Sequence, residues 1–329
     1  MSELYDVAAI GNAIVDVIAP CTDDFLAQNS LTKGAMMLVD PDQSAAIYSR
    51  MAQAVEASGG SAANTIAGLA SFGGRGAFMG KVADDQLGRV FAHDMRAIGA
   101  RFENAPLSGG PATAVSMINV TPDGQRTMCT YLGASVEFTD DDVDQAVVEA
   151  SKIVYLEGYL FDAEAARRAF AKAAALAHGS GRMIALTLSD SFVVERHRAA
   201  LLGFIKGQVD LLFANEAELK ALFETDRFDD ALHQLRPHVK IAAVTRSEKG
   251  SVVIDHGQRL TIDPAPVEKV VDTTGAGDQY AAGFMFGLSR NRPLHQCGKL
   301  ASLAAAEVIS HYGPRPAVSL AELAASKGY

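Results

Sequence analysis

Cysteine is scarce: Cys21, Cys129 and Cys297 are the three in 329 residues, and they lie far apart. An odd count without a Cys-x-x-Cys pair argues against a disulfide framework or structural zinc, and no His-Glu-x-x-His run offers another metal motif. Base is outnumbered by acid, Lys+Arg 29 against Asp+Glu 39, for a net charge of −10. With no Lys/Arg run to offset that balance, phosphate repulsion argues against nucleic acid as a partner. Nothing approaches the roughly 20 uninterrupted apolar residues of a bilayer span, so no membrane partner is expected. The start, Met1-Ser2-Glu3-Leu4-Tyr5-Asp6, is acidic where a signal peptide is basic, and a reducing cytoplasm is the default expectation. Three further motifs are missing. Gly80-Lys81 and Gly298-Lys299 run into Val82 and Leu300, which excludes a Walker A loop. No Gly-x-Gly-x-x-Gly follows the first apolar run, and no Gly-x-Ser-x-Gly elbow supports a hydrolase.

What is present is an ordinary globular balance, 49% hydrophobic and 21% charged, which excludes a disordered scaffold. The length suits one large domain or two medium ones. Short apolar runs alternate with Ala-rich helical stretches. Asp6–Gly11, Lys152–Gly158, Met183–Leu188, Val209–Ala214 and Ile241–Thr245 read as strands. Asn64–Phe72, Ala163–His178 (ended by Gly179), Glu216–Phe223, the stretch after Gly275 and Pro293–Ser310 read as helices. That alternation predicts an α/β fold with a mostly parallel sheet covered on both faces. Two segments, 17–52 and 111–138, break it. Ala114–Val120 and Arg126–Leu132 flank Thr121-Pro122-Asp123-Gly124, a hairpin with Asp-Gly at its tip. The expected layout is a β lid made of those two segments on a large body made of 1–16, 53–110 and 139–329, with the cleft between them as the working surface.

Three glycine-containing sites carry candidate chemistry. Asp272-Thr273-Thr274-Gly275-Ala276-Gly277-Asp278 opens a helix, and a sharp Gly-Ala-Gly turn there leaves N–H groups and a dipole end for a phosphate. Asp278 sits near that anion site, suited to take a proton from a hydroxyl attacking a γ-phosphate. A first-turn acid beside a Gly-rich turn is also an ordinary helix feature. Gly59-Gly60-Ser61-Ala62-Ala63-Asn64 opens a second helix; glycine permits close approach, while Asn64 offers donor and acceptor together. Gly11-Asn12-Ala13-Ile14-Val15-Asp16 ends the first strand, where ligands gather in open α/β sheets. Asp16 can accept from vicinal hydroxyls, and a turn role for Asn12 with a surface role for Asp16 is the plainer alternative.

These sites together resemble the ribokinase-like (phosphofructokinase B-type) carbohydrate kinase family, whose two signature regions match Gly59–Gly74 and Asp272–Phe284. The resemblance implies the family's three-layer sandwich and ATP-dependent transfer to a sugar hydroxyl. Asp278 is then the base, with the Gly275, Ala276, Gly277 and Asp278 amides as anion hole. It also implies ATP contacts at Asn215, Thr245, Gly250, Gly275 and Gly277. Glu218, in Asn215-Glu216-Ala217-Glu218, would organise Mg²⁺ through its waters. Asp272, Thr274 and the Tyr312-Gly313-Pro314 loop match the positions where relatives hold K⁺. Ser247 and Ala83 depart from the family pattern at positions usually glycine. Gly11, Asn12 and Asp16, with Asp24–Leu31, resemble the adenosine kinase branch. There Asn12, Asp16, Gly60, Ser61 and Asn64 contact the nucleoside, Arg126 reaches in from the lid, and Met128 and Tyr159 fall near the adenine pocket. Ribose, another sugar or another nucleoside is the alternative acceptor, a non-catalytic nucleotide- or sugar-binding sensor the alternative class. Relatives of these types are monomers or homodimers.

Overall fold

The computed structural model describes residues 5–329; the first four residues of the 1–16 body segment lie outside the described residues. Thirteen strands form two sheets among the described residues. In chain order they are β1 Tyr5–Ile10, β2 Ile14–Pro20, β3 Met36–Leu38, β4 Val55–Gly59, β5 Gly76–Met79, β6 Ala114–Val120 and β7 Arg126–Tyr131. They continue with β8 Ser151–Glu157, β9 Met183–Thr187, β10 Leu211–Asn215, β11 Ile241–Thr245, β12 Ser251–Asp255 and β13 Gln258–Ile262. The large sheet has the order β13-β12-β11-β10-β9-β8-β1-β5. It is parallel from β5 to β11, and only the β11–β12 and β12–β13 pairings are antiparallel, so β12 alone runs against the rest.

Strand periodicity divides the side chains of this sheet between two cores. Ala8, Ile10, Val154, Leu156, Ile184, Leu186 and Val244 face helices Glu164–Gly179, Ser191–Gln208, Glu216–Leu222 and Phe228–Leu235. Val7, Ala9, Ile153, Tyr155, Ala185 and Phe213 face helices Ser61–Ser71 and Ala276–Ser289. Each fully buried Leu or Phe in these layers contributes about 1.5–3 kcal/mol, which makes the body a firm platform for the loops at the strand ends. The helix expected to end at Gly179 includes that glycine; the chain turns at Gly181, whose φ is +69°. No helix among the described residues is long and apolar enough to cross a membrane.

The small sheet has the order β3-β7-β6-β2-β4. Its hairpin between β6 and β7 is antiparallel and turns at Gly124, φ +82°. Two differences from expectation stand out. The lid's first segment, read as 17–52, starts at Ile14, and β4, assigned to the body, pairs with β2 from Ile14↔Gly59 to Ile18↔Val55. Val-Glu-Ala-Ser-Gly alternates apolar with polar as a strand does, but that pattern does not say which sheet the strand joins. One face of this sheet, with Val15, Val17, Met117 and Cys129, packs into the second core. By alternation the other face carries Asp16, Ser116, Thr130, Met128 and Arg126 and looks onto the cleft.

Candidate active site

The parallel strands end together. Register sets Ile10 beside Met79 and Leu156, Glu157 beside Thr187, and Asn215 beside Thr245 along one edge. Above that edge the helix Ala276–Ser289 begins at Gly275. Gly275 has φ +79°, and a Cβ there would stand 2.6 Å from the Pro314 backbone, so only glycine fits. No side chain caps this helix, which leaves first-turn N–H groups and the positive dipole end for an anion.

Asp278 lies in that first turn. Its Oδ1 accepts from Ser61 Oγ at 2.6 Å and its Oδ2 from Asn64 Nδ2 at 3.5 Å. Both donors come from the helix that starts after Gly60, whose φ is +91°. A Cβ on Gly60 would meet the Asn12 carbonyl oxygen at 2.4 Å. Burial pushes the Asp278 carboxyl up to about 6, against the lowering pull of Ser61 and Asn64. It is therefore ionised at neutral pH and basic enough to take a proton.

Asp16 faces the cleft from β2. Burial pushes its carboxyl up to about 6, while Arg315 and Arg126 pull it down and Asp278 pushes it up. Gly59 makes room for it, since a Cβ there would lie 2.4 Å from Asp16 Oδ2. Asn12 is buried, and its backbone N–H and Nδ2 donate to Glu157 Oε1 at 3.4 and 3.1 Å. Its Oδ1 has no partner among the described residues. Glu157 also accepts from the Ala62 N–H at 2.9 Å. It thereby ties the end of β8 to both glycine turns, with burial pushing its carboxyl up to about 7.

Arg126 comes from β7 and donates through Nη1 to the Asp272 carboxylate and, at 3.4 Å, to Thr274 Oγ1. Asp272 Oδ1 accepts from Thr274 N–H and Oγ1, and Oδ2 accepts from the Gly313 N–H and Arg126. Each oxygen thus already serves two donors, and its carboxyl is held below the usual range despite burial. This arrangement does not fit K⁺, which needs those lone pairs; a guanidinium takes the cation's part. Glu218 is different. Its oxygens each accept once from Asn215, at 2.9 and 2.7 Å. Burial pushes its carboxyl up to about 7. Hard-oxygen donors with a lone pair to spare fit a contact to the water shell of Mg²⁺.

The residues expected at the nucleotide share one corner. Thr245 is paired with Asn215 on one side and with Ser251 on the other. Ser251 Oγ lies 2.7 Å from Tyr280 Oη, two residues beyond Asp278. Gly250 has φ +75°, and a Cβ there would lie 2.2 Å from the Ile262 carbonyl oxygen. Ser247, read from the sequence as a departure from a family glycine, adopts φ +51°. Met128 and Tyr159 come from different parts of the fold, one from β7 of the small sheet and the other from just beyond the end of β8 in the large one. Met128 lies on the lid between Met36 and Ile118. Tyr159 packs against the first core, among Asp190, Glu157, Asp278 and Glu218. Three residues of the site escape the sequence reading: Glu157, Gln279 and Arg315. Gln279 Nε2 donates to the carbonyls of Asn64 and Pro314 at 3.0 and 2.9 Å. Arg315 Nε donates to Asn64 Oδ1 at 3.1 Å. Only Gln279, adjacent to Asp278, lay within a motif already singled out.

Comparison with known proteins places this geometry. The description of the pfkB family carbohydrate kinases matches residues 6–320. A crystal structure of adenosine kinase from Sinorhizobium meliloti is 55% identical, with TM-score 0.91 over 98% of this chain and 99% of that one. The structure of a probable sugar kinase from Rhizobium etli CFN 42 is 48% identical, with TM-score 0.92 over 100% and 99%. Adenosine kinase from Saccharomyces cerevisiae is 27% identical over 94% of this chain and 96% of its own length.

Proposed function

The chain belongs to the pfkB family of carbohydrate kinases, and we propose that within it the chain phosphorylates the 5′-hydroxyl of adenosine. It is a phosphotransferase acting on a nucleoside or sugar hydroxyl, with ATP and a divalent metal as the family implies. One observation carries the reading of its mechanism. Asp278 is held by Ser61 and Asn64 at the start of an uncapped helix, with Asp16 facing it from the lid.

In this reading Asp278 takes the hydroxyl proton as the oxygen bonds to the γ-phosphorus. The bond from that phosphorus to the bridging β-oxygen breaks, and ADP leaves with the electron pair. The N–H groups of Gly275 to Asp278 steady the charge on the transferring group. Mg²⁺, when bound, neutralises phosphate charge, with Glu218 meeting its waters. Asp16 and Asn64 hold the ribose face, and Asn12 Oδ1 is a spare acceptor beside it. Support for adenosine comes from the activity named for the Sinorhizobium meliloti relative and from the Gly11-Asn12 and Asp16 element.

A sugar acceptor is the second reading, favoured by the name of the Rhizobium etli relative. An ATP-consumption assay against adenosine, other nucleosides, ribose and fructose decides. Adenosine should lead, and ribose should be poor because a pocket built to pair polar groups rejects analogues that leave them unpaired. Equal turnover of ribose and adenosine sinks the adenosine reading, and turnover of none would leave the sensor class.

A further inference from the structure

We propose that Arg315 is a positioning residue of the acceptor site: its Nε fixes the Asn64 amide so that Nδ2 faces Asp278, and its charge balances the Asp16 carboxylate. The proposal rests on the kinase reading above for its kinetic part. The amide argument is geometric. Asn64 Oδ1 accepts from Arg315 Nε at 3.1 Å while Nδ2 points at Asp278 Oδ2, 3.5 Å away. Rotating the amide by half a turn would set its oxygen against a carboxylate and its NH₂ against a guanidinium. Both neighbours therefore enforce one orientation.

The loop carrying Arg315 is held to the helix carrying Asp278. Pro314 and Pro316 flank it and restrict its backbone. The Pro314 carbonyl accepts from Gln279 Nε2, and the Pro314 backbone packs on Gly275. The charge argument follows from what is already engaged. Asp16 is faced by Arg315 from this loop, Arg126 from β7 and Asp278 from the Ala276–Ser289 helix. Arg126 is paired with Asp272, so Arg315 is the remaining cation for Asp16. Arg315 in turn faces Asp16 and Asp94, and Asp94 Oδ2 accepts from the Ser58 N–H at 2.8 Å. Burial lowers the proton affinity of Arg315, and its Nη2 is buried without a hydrogen-bond partner among the described residues. Such a guanidinium is costly to keep unless it serves its neighbours.

The test pairs R315M with R315K, and R315Q stands in if R315M does not fold. With the acceptor that the wild type turns over best, R315M should raise KM about tenfold near pH 7 and regain most, not all, of that near pH 9, where Asp16 ionises without its counter-charge while the Asn64 contact stays lost. R315K keeps the charge and should stay within about threefold of wild type near pH 7. Thermal unfolding from about pH 5.5 to 8.5 gives a readout free of catalysis. A higher native affinity of Asp16 for its proton extends the loss of stability to higher pH. R315M should therefore fall further than wild type above about pH 6, and the excess should vanish in D16N/R315M relative to D16N. Three results overturn the proposal: a KM defect equal at every pH, R315K as defective as R315M, or the same excess fall in the D16N background. If no acceptor is phosphorylated by the wild type, the functional reading fails, and the unfolding arm still decides the role of Arg315.

Discussion

Removing the Ser61 hydroxyl isolates what holds the base ready. Ser61 Oγ donates to Asp278 Oδ1 at 2.6 Å, a bond to an ionised acceptor in a desolvated place. Hydrogen bonds to charged groups are worth about 1.5–3 kcal/mol, and each pKa unit is about 1.36 kcal/mol. Ser61→Ala should therefore raise the Asp278 carboxyl by about one to two units, from about 6 to about 7–8. The sign is upward because the lost bond favoured the charged form. Near pH 7 the ionised fraction falls from about nine-tenths to between about one-half and one-tenth, so kcat should drop about two- to ninefold. Near pH 9 the two enzymes should converge. The assay is kcat across about pH 5.5–9.5, with the acid limb fitted for each enzyme. An unmoved limb, or a loss of kcat equal at every pH, refutes the idea that Ser61 acts through the protonation of Asp278.

Other outcomes follow from the same geometry. Asp278→Asn keeps the size and loses proton acceptance, so kcat should fall about 10²–10⁴-fold with nucleotide binding retained; a wild-type kcat ends the assignment of Asp278 as base. Gly60→Ala puts a Cβ 2.4 Å from the Asn12 carbonyl at φ +91° and should cost at least about 2 kcal/mol in denaturant unfolding; a neutral result means the turn relaxes. Asp16 and Asp278 are raised to about 6, and Glu157 and Glu218 to about 7. The folded state then holds extra protons between about pH 4 and 7, so stability should decline as pH rises through that window. The lowered carboxyls, Asp6, Asp162, Asp210 and Asp272, act at more acid pH. A melting midpoint higher near pH 8 than near pH 5.5 contradicts that sign. Because Arg126 occupies Asp272, rates in K⁺ and in tetramethylammonium should agree within about twofold; a tenfold stimulation by K⁺ shows that Asp272 is free to bind it.

The body was legible because buried parallel strands are continuous apolar runs, and Ile241–Thr245 needed no adjustment at either end. The helix start at Gly275 was legible because a sharp Gly-Ala-Gly turn before an apolar stretch marks one. The misses share one cause, that pairing across the chain leaves no local mark. β4 belongs to the lid only because it meets β2, about forty residues away. Arg315 sits between two prolines in a stretch that reads as a solvated loop, and its partner Asn64 is 251 residues distant. Glu157 closes an apolar strand like any terminal acid, and only the fold turns it towards Asn12 and Ala62.

The small sheet has a consequence for how such an enzyme changes over time. Its strands come from stretches scattered from Ile14 to Tyr131, interleaved with the Ser61–Ser71 helix and β5 of the body. β2 and β6 lie side by side although about a hundred residues separate them. No single cut excises this sheet, so recombination cannot exchange it between relatives as a cassette. A new acceptor has to be reached by successive point substitutions on the cleft-facing side chains, each tolerated by a core on the opposite face. The same interleaving ties assembly of the two sheets together. β2 and β6 can pair only after the intervening body residues have been made and brought in, so the small sheet, like the β1–β8 pairing of the large one, is built by long-range contacts that slow folding.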